Sequence, residues 1–67
     1  MGDVGLELLT IDEVAARLRV SRKTLYNWRA IRTGPDGFRV GRTVRYRRES
    51  VERWLREQEE IDQSRLA

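Results

Sequence analysis

The side chains best suited to recognising another molecule lie between residues 21 and 29. At 100° per residue, Arg22, Lys23, Tyr26 and Asn27 fall on one side of a helical wheel. Arginine can pair with two acceptors of guanine, asparagine can do the same with adenine, and tyrosine can contact a thymine methyl or a phosphate. These residue types at this spacing indicate a face that binds double-stranded DNA. The alternative is an ordinary solvated helix face.

Three further residues of this segment are candidate DNA contacts. Ser21 and Thr24 carry hydroxyls that can donate to phosphate, although capping a helix is the more natural task of Ser21. Arg29 either contacts the DNA backbone or favours the negative end of its own helix. On the opposite side, Leu25 and Trp28 stand at i and i+3 and are expected to be buried together.

Two short helices must position these groups. Thr10 and Glu13 form a capping box that starts a first helix at about residue 11, and the apolar period ends near residue 18. Ser21 caps a second helix, which is expected to end between Ala30 and Arg32. Only Arg19 and Val20 separate the two, so a helix-turn-helix is predicted.

Residues 38–47 change to the alternating pattern of strands and carry the remaining candidates. A hairpin is expected around Gly41, where φ is predicted to be positive, with Arg42 at its tip as the wing residue. Its apolar face would hold Phe38, Val40, Val44 and Tyr46 against the helices. The outward face would hold three arginines for DNA, namely Arg39, Arg45 and Arg47. The alternative is that these arginines protect a sheet edge from aggregation.

A third helix is predicted from Arg48, docked by its first two turns, with acidic residues exposed beyond them. The expected fold is therefore mainly α with a small β-hairpin, a winged helix-turn-helix. A flexible leader over residues 1–8 would precede the DNA-binding domain over 9–58, and a helix end or tail would follow over 59–67. Trp28 and Trp54 are interpreted as core residues rather than base-stacking platforms.

Composition excludes several classes of protein. The 67 residues allow one small domain and contain neither cysteine nor histidine, so no disulfide, thiolate metal site or histidine base is available. We expect no enzyme, no metal, no cofactor and no small-molecule ligand. No apolar run reaches the roughly 18 residues of a membrane span. We expect no membrane partner and a cytoplasmic location, in a bacterial host cell or associated with its nucleoid.

The distribution of charge supports a polyanion partner. Residues 1–13 hold four acids and no base, and residues 14–48 hold eleven Lys and Arg against one Asp, a net charge of +10. Residues 49–67 hold six acids against three arginines. A basic centre between acidic ends is the pattern expected of a DNA-binding face.

Four segments in combination resemble the excisionase family, a small winged-helix family related to the DNA-binding domain of MerR-type regulators. They are a T-x-x-E-x-A opening at residues 10–15, S-x-x-T-L-Y-x-W at 21–28, the hairpin at 38–46 and a closing Trp54-Leu55. The resemblance covers about residues 8–58. Many members have Gly or Asn where this chain has Arg19, so a positive φ there would cost about 1 kcal/mol.

The resemblance implies a role and a docking mode. The second helix would enter the major groove, and the wing would reach the adjacent minor groove or backbone. The protein would be a phage or plasmid recombination directionality factor, which bends attachment-site DNA and controls the direction of integrase-mediated recombination. It would bind cooperatively, self-associate head-to-tail along DNA and act with a tyrosine recombinase.

Two other functions stay open at this point. A small phage or plasmid transcriptional regulator would use the same fold, and an integrase encoded beside the gene would favour excision instead. A protein-interaction adaptor would bind an acidic partner through its basic face. Its binding would survive removal of Arg22, Lys23 and Asn27 as a set.

Overall fold

Three helices and a three-stranded sheet make up the part of the chain that the computed structural model describes, residues 7–66. The elements follow in the order β1 (Leu8–Thr10), α1 (Ile11–Leu18), α2 (Arg22–Ala30), β2 (Gly37–Val40), β3 (Thr43–Arg47) and α3 (Arg48–Leu66). The predicted winged helix-turn-helix is confirmed. Of the leader predicted for residues 1–8, residues 1–6 lie outside the described range.

The capping box of α1 forms as predicted. The Thr10 backbone N–H donates to Glu13 Oε1 at 2.8 Å, and the Glu13 N–H donates to Thr10 Oγ1 at 3.1 Å. The helix ends at Leu18, and its C-cap residue Arg19 adopts the left-handed conformation with φ 59° and ψ 42°. The Val20 N–H then donates to the Ala15 carbonyl at 3.0 Å. The sharp turn between the helices therefore rests on a non-glycine residue held at positive φ, which is strained.

Helix α2 is capped by Ser21, whose Oγ accepts from the Thr24 N–H at 3.1 Å. It ends at Ala30, within the predicted range. The chain then reverses through Arg32 at φ 59° and Gly34 at φ 79°, and the Thr33 N–H donates to the Trp28 carbonyl at 2.8 Å. This reversal leads directly into the sheet.

The sheet has a strand that the sequence analysis did not predict. Strand order is β1-β3-β2, with both pairs antiparallel and β3 in the centre. Residues 8–10 form β1, and Leu9 stands opposite Tyr46. Gly41, at the hairpin turn, has φ 65°, so the prediction of a positive φ there is confirmed.

The predicted division of the hairpin into an apolar and an arginine face is wrong. Opposed residues of an antiparallel pair project to the same face. Phe38 stands opposite Arg45, and Arg39 stands opposite Val44. Alternation within each strand is real, but the two strands pair in a register that matches an apolar residue on one with an arginine on the other.

The outward face of the sheet consequently mixes apolar and basic side chains. Because side chains two apart share a face, this outer sheet face carries Leu8, Phe38, Val40, Arg45 and Arg47, together with the two threonines Thr10 and Thr43. Its apolar members are exposed, at 43% for Leu8, 36% for Phe38 and 49% for Val40. The inner face, which carries Leu9, Val44 and Tyr46, packs on the helices.

The core lies between the inner sheet face and the three helices. Four side chains are almost fully buried, namely Val14, Leu25, Tyr46 and Val51. Trp28 and Trp54 are half-buried and pack on each other with ring centroids 5.4 Å apart. Their interpretation as packing residues agrees with this contact.

Helix α3 docks through its first two turns, as predicted. Val51 is buried and Leu55 is partly buried against the core. Residues 56–65 are all exposed, including Glu57, Glu59 and Glu60. The second half of α3 therefore projects from the domain.

Gly37 provides the first test of this packing. A Cβ at Gly37 would lie 2.8 Å from Cε2 of the buried Tyr46 ring. We expect Gly37→Ala to lower the free energy of unfolding by about 1–3 kcal/mol, and Gly37→Val to lower it further.

At Gly41 no atom lies within 4 Å of an added Cβ. There the cost should come from backbone strain alone and be about 1 kcal/mol. Urea unfolding followed by circular dichroism measures both, and a Gly37→Ala protein as stable as the wild type would contradict this packing.

Candidate nucleic-acid interface

Helix α2 presents the predicted recognition residues on its solvent side. Arg22, Lys23, Tyr26 and Asn27 are all exposed, whereas Leu25 on the opposite side is 1% exposed. The cap at Ser21 fixes where the helix begins, and Leu25 fixes its rotation about its axis. Two cations, an aromatic ring and a carboxamide are therefore held on one accessible surface.

The two hydroxyls of the first turn are already engaged with each other. Ser21 Oγ and Thr24 Oγ1 lie 2.9 Å apart, within hydrogen-bond distance. The cap role of Ser21 is confirmed by its bond from the Thr24 N–H. Contact of either hydroxyl with phosphate remains a prediction.

Arg22 is held by an acid on the preceding helix. Its Nε donates to Asp12 Oδ1 at 2.8 Å, and its Nη2 donates to the same oxygen. The hydrogen bond to Asp12 and then the charge of Asp12 raise the pKa of Arg22 above its ordinary value. Both side chains stay largely exposed, at 59% for Arg22 and 64% for Asp12.

Arg29 lies at the other end of α2, beside an open cleft of about 390 Å³. Arg32 and the turn of residues 33–37 complete its lining. Burial raises the pKa of Tyr46, and the positive charge of Arg29 lowers it as a smaller effect. Two arginines at one open cleft are suited to a backbone phosphate, although the carboxylate of Asp36 in the same lining reduces the attraction.

The four wing arginines do not share one surface. Arg42 follows Gly41 at the exposed hairpin turn, where the Thr43 hydroxyl donates to the Val40 carbonyl at 3.0 Å. Arg39 is exposed but belongs to the face of Val44.

Arg45 and Arg47 both lie on the outer sheet face. Arg45 Nη1 donates to the Val44 carbonyl at 3.0 Å. The Arg47 guanidinium lies over the Phe38 ring, 5.6 Å from its centroid. The tip, the inner side and the outer side of the wing thus each carry basic charge.

Within residues 7–66, two further ion pairs engage cations away from the recognition face. Arg17 of α1 pairs with Glu52 of α3, and Arg48 pairs with Glu7 at 3.6 Å. The exposed end of α3 carries four carboxylates, namely Glu57, Glu59, Glu60 and Asp62. In the described part of the chain, basic charge is concentrated on α2 and the wing, and acidic charge on the far half of α3.

Sequence reasoning overlooked Asp12 as a partner of the recognition helix. Asp12 lies in the first turn of α1, where an acidic residue is ordinarily explained by the helix dipole alone. Asp12 and Arg22 are ten residues apart, and the left-handed turn at Arg19 brings them together. No periodic pattern in the sequence signals such a contact.

Comparisons with known proteins identify the family. A family model described as a helix-turn-helix domain matches residues 8–59. The chain is 32% identical over 56 residues to the excisionase of Enterobacteria phage phi80, a match that covers 72% of this chain and 86% of that protein. No solved structure matches. In the described range, no helix combines the length and apolar character needed to span a bilayer. The chain is a DNA-binding helix-turn-helix protein and belongs to the excisionase family.

Proposed function

We propose that this protein is a recombination directionality factor, which binds attachment-site DNA, bends it and steers a tyrosine recombinase towards excision. The observation that carries the proposal is the exposed face of α2 on a chain 32% identical to a phage excisionase. The protein supplies position rather than bond-making chemistry. It would act in the cytoplasm of a bacterial host cell.

The recognition helix α2 would enter the major groove. Arg22 and Asn27 would read base edges, Lys23 and Tyr26 would contact phosphate or a thymine methyl, and Arg29 would bind the backbone. The hydroxyls of Ser21 and Thr24 would donate to phosphate. The wing would follow the adjacent minor groove or backbone with Arg42 at its tip, supported by Arg39, Arg45 and Arg47.

Bending requires several monomers. Bending a site of 20–30 base pairs costs on the order of 1–6 kcal/mol, which protein contacts must offset. One domain of this size offers only one short recognition helix and one wing. An array of monomers on adjacent sites would provide enough contacts, which is why the proposal includes cooperative binding.

Two surfaces support head-to-tail self-association. The outer sheet face exposes Phe38 and Val40 beside Arg45 and Arg47. The projecting half of α3 exposes Ile61 at 47% among four carboxylates. These two surfaces are complementary in charge and both contain apolar side chains. Because they differ, their contact would be heterologous and would extend along DNA instead of closing into a dimer.

The function is tested by a mobility-shift titration combined with an excision assay. The probe is the DNA beside the chain's own gene, with and without the nearest encoded integrase. A ladder of cooperative, salt-sensitive complexes and stimulated excision are expected. A single shift at a promoter with no effect on recombination would instead identify a small transcriptional regulator. Absence of any shift would contradict both functions and favour a protein-interaction adaptor.

Base-reading and backbone contacts should respond differently to substitution. We expect Asn27→Ala to weaken binding by about 1–3 kcal/mol and to relax preference at one base pair. We expect Arg42→Ala to weaken binding to every sequence and to reduce the slope of log K against log salt by about one. Titrations at several salt concentrations against matched and mismatched duplexes measure both. If Asn27→Ala reduces the salt slope and leaves the base preference intact, Asn27 contacts the DNA backbone instead of a base.

A further inference from the structure

The contact between Asp12 and Arg22 joins the helix before the turn to the first residue of the recognition helix. Arg22 is the first residue of α2, directly after the Ser21 cap. The first residues of a recognition helix are those that contact base edges in helix-turn-helix proteins. Asp12 lies in the first turn of α1 and reaches across to it. Arg22, the residue best placed to read a base, is therefore held by Asp12.

The geometry of the contact leaves half of the guanidinium available. A guanidinium presents a side edge, formed by Nε and Nη2, and an end edge, formed by Nη1 and Nη2. Asp12 Oδ1 accepts from Nε at 2.8 Å and from Nη2, so it occupies the side edge. The end edge keeps two donors, and Arg22 remains 59% exposed. Two parallel donors are what the O6 and N7 acceptors of guanine require.

We propose that Asp12 is a positioning residue for sequence recognition, which orients Arg22 so that its end edge reads a guanine. This inference rests on the proposed placement of α2 in the major groove. A free arginine side chain must lose rotamer freedom when it binds, and a side chain held beforehand loses less. Asp12 thereby favours one orientation of Arg22 before DNA arrives.

Stability of the fold does not account for the pair. Ion pairs between exposed side chains contribute little to folding. An acid on the DNA-facing side also weakens attraction to phosphate, so its charge alone would reduce binding to every sequence. A positioning role and a purely repulsive role thus predict opposite results when Asp12 is removed: loss of preference at one base pair, or a uniform gain in affinity.

The test compares base preference in single and double variants. The probes are duplexes of the site that the wild-type protein selects from a randomised pool, with all four base pairs at each position. Arg22→Ala should reduce discrimination at one G·C pair by about tenfold or more. Asp12→Ala should reduce discrimination at the same pair by roughly threefold to tenfold, and should add nothing to Arg22→Ala.

Two further variants separate positioning from charge. Asp12→Asn keeps an oxygen that can accept from Arg22, so it should retain discrimination within about twofold of the wild type. Glu49→Ala removes the same charge from an exposed site on α3 and should leave discrimination unchanged. Thermal melts of all variants confirm that each is folded under the binding conditions.

Each contrary outcome has a distinct meaning. If Asp12→Ala keeps full discrimination while Arg22→Ala loses it, the positioning role is overturned and the proposed function stands. If Asp12→Ala binds all duplexes more tightly by one common factor, Asp12 acts only as a competing charge, and the inference is again overturned. If Arg22→Ala loses no base preference, the placement of Arg22 in the groove is wrong and the inference falls with it.

Discussion

Replacement of Tyr46 by alanine is expected to abolish the folded state at room temperature. Tyr46 is 1% exposed and lies at the centre of the sheet, with Leu9 on one neighbouring strand and Gly37 on the other. Truncating a large buried aromatic side chain costs about 3–5 kcal/mol. A single small core rarely supplies more than about 3–5 kcal/mol in total. The expected loss therefore equals the whole stability of the domain.

The other tyrosine of the chain, Tyr26, is a matched control. Tyr26 is 48% exposed on α2, so Tyr26→Ala should change the free energy of unfolding by less than about 0.5 kcal/mol. Tyr46→Phe keeps the ring and should remain folded. Circular dichroism during urea titration measures all three, and fluorescence of the packed Trp28–Trp54 pair gives an independent signal. A cooperative transition near the wild-type midpoint for Tyr46→Ala would contradict the central role of this ring.

Removal of Arg22, Lys23 and Asn27 together is expected to abolish sequence-specific DNA binding without unfolding the protein. All three side chains are exposed on α2. A base contact by arginine or asparagine is worth about 1–3 kcal/mol each, and lysine adds a phosphate contact. The triple alanine variant should therefore bind the selected site about 100-fold or more weakly.

A second triple variant tests whether the loss is specific to this face. Arg53→Ala, Arg56→Ala and Gln58→Ala remove the same charge and one carboxamide from exposed positions on α3. This protein should bind the selected site within about threefold of the wild type, because the substitutions weaken only the general electrostatic attraction to DNA. Equal losses in both variants would mean that net charge alone drives binding. Binding that survives the α2 triple would favour an adaptor that uses another surface.

Local signals in the sequence were sufficient for the helices. Thr10 with Glu13 and Ser21 with Thr24 are contacts within one helical turn, so side-chain chemistry at fixed spacing predicts them. The positive φ at Gly41 follows from turn chemistry in the same way. These interactions depend little on the rest of the fold.

Pairings between distant segments were not predictable from these signals. Three residues of β1 are too few for a periodic pattern, and their pairing with β3 joins segments more than thirty positions apart. The faces of the hairpin depend on register, and a change of one residue reverses every side chain. Phe38 consequently lies with Arg45 and Arg47 on the outer sheet face instead of in the core.

The candidate site shows the same difference between local interactions, which the sequence predicts, and contacts between distant segments, which it does not. The exposed residues of α2 follow from helical period and the position of the cap, both of which are local. The bond from Arg22 to Asp12 depends on the angle between two helices, which the left-handed residue Arg19 helps to set. A residue that acts through such an angle is visible only in three dimensions.

The sheet passes directly into helices at two junctions, and we expect these junctions to resist bending. β1 ends at Thr10 where α1 begins at Ile11, and β3 ends at Arg47 where α3 begins at Arg48. Neither junction contains a loop residue that could act as a hinge. In the proposed complex, the DNA must then be the compliant partner, since the wing is fixed relative to α1 and α3 before binding. If the protein bends DNA as proposed, salt and temperature would accordingly change how many sites are occupied, while the angle at each occupied site would stay constant.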